Sequence, residues 1–202
     1  MRILSISTGI IAPLFGVDHP DHPMVRSAIK KDTVSSLDNP LPVTVGITGL
    51  AGDEQADFSV HGGLEKAVYA YPVQHYDFWR DILGATHPVP PELRDGFVGE
   101  NLTIEGFDED HTWVGDIWRV GNTELQVVKL REPCFKFNAR MKHKGAAKAM
   151  IQSARSGWYL QVNQPGTIRA GDLIAVIPGR RETNIRMQNE RLLRKEQQKD
   201  LF

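Results

Sequence analysis

Short β-prone stretches cut by turn residues run through this sequence, and they constrain the fold more than any other feature. Eight of them, Arg2–Thr8, Pro42–Thr48, Ala67–Tyr71, Asn101–Glu105, Asp116–Val120, Glu124–Leu130, Trp158–Asn163 and Leu173–Ile177, are separated by Gly, Pro and Asp. That number and spacing predict a barrel or a sandwich. Helical periodicity is confined to a few places. Val73–Leu83 puts His75, Phe78, Trp79 and Ile82 on one face, and Ala146–Ala154 is a second candidate. These helices are expected to plug or cover the sheet rather than alternate with strands, so the fold class is mainly β with a few helices.

A chain of 202 residues that is 41% hydrophobic can bury one core and a small appendage, but hardly two. The division expected is a β domain over residues 1–178 and a helical tail over 179–202. After Pro178 the composition shifts to helix formers with seven basic and four acidic side chains and sparse apolar residues at Ile185, Met187, Leu192 and Leu193. That pattern predicts an exposed helix, either solvated or packed on a neighbouring subunit; mixed charge argues against an RNA-binding one. Two segments read as irregular: Gly16–Ser35, which contains HPDHP, and Thr86–Gly99, which Pro88, Pro90 and Pro91 stiffen.

The formal charge of −1 gives the whole chain no electrostatic case for nucleic acid or an anionic membrane, so any anion site must be local. A single cysteine excludes an internal disulfide, and MRILSISTGI lacks the apolar core and cleavage site of a secretory signal. A reducing, cytoplasmic location is expected. No stretch reaches the ~20 apolar residues of a membrane span.

Cys134 lies in LREPCFKFNAR, with Arg131 before it and Lys136 and Arg140 after it. Nearby cations favour thiolate over thiol, and Pro133 could fix the start of a helix whose N-terminal dipole acts in the same sense. Beside Phe135 and Phe137 the same residue could equally be a small buried hydrophobe. FSVHGGLEKAVYAY joins a turn, His61-Gly62-Gly63, to Lys66 and a strand, a layout in which backbone N–H groups, an imidazole and an ammonium could converge on an anion. A Gly-Gly hairpin with a surface lysine accounts for it too. GLAGDEQAD lacks the acidic alternation of a calcium loop, and Asn101 in GEN is either a heterocycle ligand or a turn residue. The seven histidines show no zinc-ligand spacing, and GxSxG, Rossmann and P-loop signatures are absent.

In order, SAIKK, GLAGDEQADFSVHGGLEKAVYAYPVQHYDFW, VGENLTIEGF, VGDIWRVGNTELQVVKLREPCFKF and SGWYLQV resemble the MOSC domain proteins, particularly their YiiM-like branch. The resemblance runs from about Ser27 to Ile177. It implies a closed, mostly antiparallel β-barrel of the pyruvate kinase type, related to the molybdenum cofactor sulfurase C-terminal domain and the mitochondrial amidoxime-reducing component. In such proteins a cysteine at the position of Cys134 gives a thiolate to the molybdenum of a molybdopterin cofactor. A soft thiolate suits a metal already held by sulfur, and the pterin phosphate needs a basic, amide-rich rim. The matched motifs offer Ser27, Lys30, His61, Gly62, Gly63, Lys66, Asn101, Arg131 and Lys136 for that rim.

The activity so implied is reduction of small N-hydroxylated compounds (hydroxylamines, amidoximes, N-hydroxylated purines), with electrons from an external flavin or iron–sulfur protein, because one cysteine cannot hold a cluster. A sulfur carrier using a Cys134 persulfide, and a non-catalytic molybdopterin-binding module, are the alternatives. YiiM-like proteins often continue into three C-terminal helices, whereas the residues after the barrel here suffice for one.

Overall fold

The computed structural model describes residues 1–56, 62–87 and 92–199. Among them the strands are β1 (Arg2–Thr8), β2 (Ala12–Pro13), β3 (Arg26–Ser27), β4 (Asp32–Ser36), β5 (Val43–Gly46), β6 (Gly49–Leu50), β7 (Val68–Pro72), β8 (Leu102–Glu105), β9 (Ile117–Val120), β10 (Thr123–Leu130), β11 (Trp158–Gln164), β12 (Gly166–Ile168) and β13 (Ile174–Ile177). The helices are α1 (Tyr76–Thr86), α2 (Phe135–Met141), α3 (Ala146–Ser153) and α4 (Ile185–Lys199). All eight strands and both helices expected from periodicity are present, with ends shifted by a few residues.

Eight strands form one sheet in the order β13-β9-β10-β11-β7-β8-β1-β4, antiparallel except for the β7–β8 pair. Alternation places side chains on its two faces, and β10 shows how. Thr123, Leu125 and Val127 are buried in strict alternation. A register shift against β11 between Val127 and Lys129 then changes the phase, so Leu130 rather than Lys129 is buried next. Gly157, at φ 61, lets β11 begin so close to β7 that a Cβ there would stand 2.4 Å from the Ala70 carbonyl oxygen.

The closed barrel implied by resemblance is not formed. The sheet curls into a half-barrel whose terminal strands, β13 and β4, do not pair with each other. Where the curl comes round, β1 meets the start of β13 through one isolated bridge, Arg2–Leu173, flanked by backbone hydrogen bonds from Ile3 to Asp172 and from Ile174 to Met1. Closure would need a ladder along the whole of β13, whereas β4 occupies that edge of β1 from Ser5 to Thr8 and leaves only its first residues to meet β13.

Two cores lie on opposite faces of this sheet. Inside the curl, Ile3, Ile6, Leu102, Leu125, Leu160 and Ile174 surround an aromatic centre in which Phe107 stacks on Trp118 at 4.5 Å and Trp158 meets Trp118 edge-on at 5.9 Å. Outside it, α1, α2 and α3 cover Tyr69 and Tyr71 with Trp79, Phe137 and Met150. Every residue of β7 is therefore buried.

The segment Gly16–Ser35 is less irregular than its composition suggests, since it contains β3 and β4. β4 is a polar edge strand with one buried residue in five, Ser35, which is why no apolar alternation betrays it. The C-terminal helix is also less exposed than expected. Ile185 is wholly buried, the Gln188 side chain accepts from the Leu130 N–H (2.7 Å), and Asn189 donates to the Ile151 carbonyl (2.7 Å), so α4 straps β10 to α3. No helix among the described residues is long and apolar enough to cross a membrane.

Candidate functional site

β10 ends at Leu130, and the chain then crosses the rim of the curl through Arg131, Glu132 and Pro133 before entering α2. Cys134 takes an extended conformation (φ −132, ψ −177) and caps α2, its carbonyl accepting from the Phe137 N–H at 2.9 Å. The residue is half-buried and lines a cavity of about 110 Å3 and an adjoining trough of about 280 Å3, which share Lys66, Cys134 and Tyr159. The sulfur is therefore neither sealed in the core nor out on an open surface.

Four cations, Lys31, Lys66, Arg131 and Lys136, line the cavity against two carboxylates, Asp53 and Glu54. Lys31 and Asp53 neutralise each other in a buried pair. Burial pushes the Lys31 ammonium down from its ordinary value, and Asp53 opposes the shift. Lys136 donates to the Arg26 carbonyl (3.1 Å), which ties α2 to β3, and the Lys66 ammonium lies 6.0 Å over the Tyr159 ring.

Arg131 is 6% exposed and forms no ion pair among the described residues. Its guanidinium rests on Phe137 (4.5 Å) and Tyr69 (5.6 Å) and contacts the Met150 sulfur at 3.6 Å. A buried cation held by aromatic faces and facing a cavity is matched to an anionic ligand, because water is largely replaced and no carboxylate among the described residues has taken its place. Burial also pushes the Tyr159 phenol up, with Arg131 working against it, so Tyr159 keeps its proton and presents an O–H.

The polar wall beneath is a structural network. Asn101 accepts from the Tyr69 N–H (3.0 Å) and gives its two amide protons to the Ser7 carbonyl (3.2 Å) and Asp53 (2.8 Å). Asp53 also accepts from the Gly9 N–H at 2.7 Å. Next to it, Glu100 is fully buried. It accepts from Tyr76, from the Gly96 N–H (2.9 Å) and from Thr103 (3.0 Å), while its Oε2 has no hydrogen-bond partner. Burial pushes this carboxyl above its ordinary value, and the Tyr76 hydrogen bond opposes that.

Of the residues singled out in sequence, Ser27, Lys66, Asn101, Arg131, Cys134 and Lys136 come together on this cavity. Lys30 does not: it is exposed, and its neighbour Lys31 lines the wall instead. Gly62 and Gly63 are half-buried beside the cavity without lining it, and the Gly63 N–H is already bound to the Gln55 side chain at 2.8 Å. His61 lies outside the described residues, as do Pro88, Pro90 and Pro91. Asn101 has spent both its donors on the fold, which leaves it one lone pair for a ligand. Lys31, Asp53, Tyr69 and Tyr159 were not anticipated. Alternation along SGWYLQV was the available signal for Tyr159, since Trp158 and Leu160 point into the core and leave it on the opposite face.

The family model of the MOSC domain matches residues 57–175, and the chain belongs to that family. Among its relatives, a protein named Reductase from Gibberella moniliformis (strain M3125 / FGSC 7600) is 41% identical over 138 residues, 67% of this chain and 24% of that protein. Protein YiiM of Escherichia coli (strain K12) is 37% identical over 126 residues, 60% of this chain and 53% of that one. The chain thus spans about a quarter and about half of these relatives' lengths. The solved structure of YiiM from Geobacillus stearothermophilus superposes with a TM-score of 0.73 at 27% identity, covering 96% of this chain and 84% of that one. YiiM from Escherichia coli gives 0.69 at 23% identity and supports the fold.

Proposed function

We propose that this chain is the catalytic module of a molybdenum-dependent reductase of small N-hydroxylated compounds. The observation that carries the reading is the meeting, on one cavity, of the chain's only thiol with a buried arginine that forms no ion pair among the described residues. The donor set suits the molybdopterin cofactor: one soft sulfur ligand beside a surplus of positive charge fits an anionic, sulfur-rich metal group. Membership of the MOSC family and a relative named Reductase support the same reading.

In this reading Cys134 is the protein ligand to the metal, and Arg131, Lys66 and Lys136 hold the anionic end of the cofactor. Ser27 and the remaining lone pair of Asn101 contact its heterocycle. When bound there, the cofactor would supply the two-electron redox chemistry that N–O cleavage requires. The balanced reaction is R–NHOH + 2 e⁻ + 2 H⁺ → R–NH2 + H2O, in which the N–O bond breaks and nitrogen is reduced. Lys66 and the protonated Tyr159 flank Cys134 on the shared wall, where the phenol O–H can donate to the hydroxyl oxygen as it leaves. Electrons arrive from a separate flavin or iron–sulfur protein.

The test is turnover. Protein made in a host that synthesises the cofactor, supplied with reduced viologen, is expected to convert benzamidoxime, hydroxylamine or N-hydroxyadenine to the amine or amidine. Labile sulfane sulfur on Cys134 without molybdenum would identify a sulfur carrier. Bound molybdopterin with no turnover on any of these substrates would identify a storage module.

A further inference from the structure

Residues 135–155, which span α2, the turn after it and α3, contain Lys136, Arg140, Lys142, Lys144, Lys148 and Arg155 and no Asp or Glu. In a chain of net charge −1 this is a strong local asymmetry. Three of the six are committed to the fold. Lys136 donates to the Arg26 carbonyl, Arg140 lies 4.2 Å over the Phe97 ring and donates to its carbonyl, and Arg155 lies 4.7 Å over Phe78. Lys142, Lys144 and Lys148 are exposed and form no ion pair among the described residues.

Lys144 and Lys148 border a groove of about 570 Å3 between α2, α3 and α4. Its apolar surface comes from Phe135, Ile151, Leu192 and Leu193, and Phe135 is 56% exposed, although it adjoins the cavity cysteine. Cys134 lines this groove as well as the polar cavity, so the same residue borders a ligand site on one side and an open surface on the other. An apolar centre with a charged rim is how transient protein interfaces are built.

We propose that the α2–α3 face is the docking surface for an acidic electron-donor protein, a flavin or iron–sulfur carrier whose carboxylates engage Lys142, Lys144 and Lys148 while its apolar centre covers Phe135. The inference rests on the reductase reading, which requires two electrons from outside the chain, and names where they enter. A nucleic acid fits this face less well. The aromatic and aliphatic floor of Phe135, Ile151, Leu192 and Leu193 matches an apolar protein centre and offers phosphates nothing. Steering by the lysines accelerates encounter with an acidic carrier, and docking at the groove brings the carrier's redox group against the wall that Cys134 forms.

Calorimetric titration of the full chain with an acidic [2Fe–2S] ferredoxin and with a flavodoxin tests this. At least one carrier should bind at low ionic strength and weaken as salt rises. Lys144→Glu with Lys148→Glu should weaken it by about tenfold or more, while Arg180→Glu with Arg191→Glu, the same charge change elsewhere, should alter it less than about twofold. With viologen as reductant the K144E/K148E protein should turn over like the wild type, and with the carrier it should be slower. Equal losses for the two double variants, no binding of either carrier at low salt, or tighter binding of a duplex oligonucleotide overturns the proposal. Lysine-dependent carrier binding without viologen-driven turnover supports the surface and removes the reductase reading; viologen-driven turnover without carrier binding does the reverse.

Discussion

The inside of the curl and its rim are built from opposite materials. Between β9, β10 and β11 the sheet encloses Trp118, Trp158, Leu125 and Leu160, all essentially without solvent contact and mostly apolar. At the rim, Glu100 is fully buried, Asn101 and Arg131 nearly so, and the side chains of Lys31 and Asp53 keep only slight exposure. The first arrangement gains stability from area removed from water. The second incurs desolvation that hydrogen bonds and one ion pair only partly offset, with Glu100 Oε2 unsatisfied and Arg131 in no ion pair among the described residues. The proposed cofactor site accounts for such a rim, and on that reading the two regions should answer differently to substitution.

The largest effect is expected in the curl. Trp118→Ala removes a ring stacked on Phe107 and edge-on to Trp158, and should cost about 3–5 kcal/mol in chemical denaturation while leaving the cavity residues in place. A comparable loss from a cavity cation would erase the contrast. Asn101→Ala comes next, because it strips partners from the Tyr69 N–H, the Ser7 carbonyl and Asp53 together. About 2–3 kcal/mol is expected, with the cavity wall disturbed through Asp53 and Lys31.

Glu100 sharpens the comparison through pH. Its folded carboxyl titrates above the unfolded one, so between the two values the folded state holds the extra proton, and stability falls as pH rises through that window. The window opens at about pH 4.3, where the unfolded carboxyl titrates. Glu100→Gln should flatten this part of the stability profile, measured as urea midpoints across pH; an unchanged slope would mean that the carboxyl is already satisfied. The smallest stability effect belongs to Lys66→Ala, within about 0.5 kcal/mol, accompanied by a clear loss of molybdopterin retention.

Strands were legible because alternation along Glu124–Leu130 or Trp158–Asn163 is a local property, and so was the helix over Val73–Leu83. Closure was not, since it depends on whether β13 and β1 lie alongside each other over several residues, and one bridge separates a barrel from a half-barrel. β4 escaped notice because a polar edge strand leaves no apolar pattern. The site was legible to within a residue at Lys30, in the link between β3 and β4, where only the direction of the side chain decides between it and Lys31. Asp53 and Tyr159 needed the third dimension: β11 brings Tyr159 to Lys66, and Asp53 becomes a cavity residue by bonding to Gly9, Lys31 and Asn101.

Molybdenum content tests the central assignment most directly. The chain purified from a cofactor-producing host, alongside a Cys134→Ser form of matched stability, should carry near-stoichiometric molybdenum in the first case and almost none in the second. Equal metal in both, or none in either while pterin is retained, would show that the rim of this sheet binds its ligand without the sulfur.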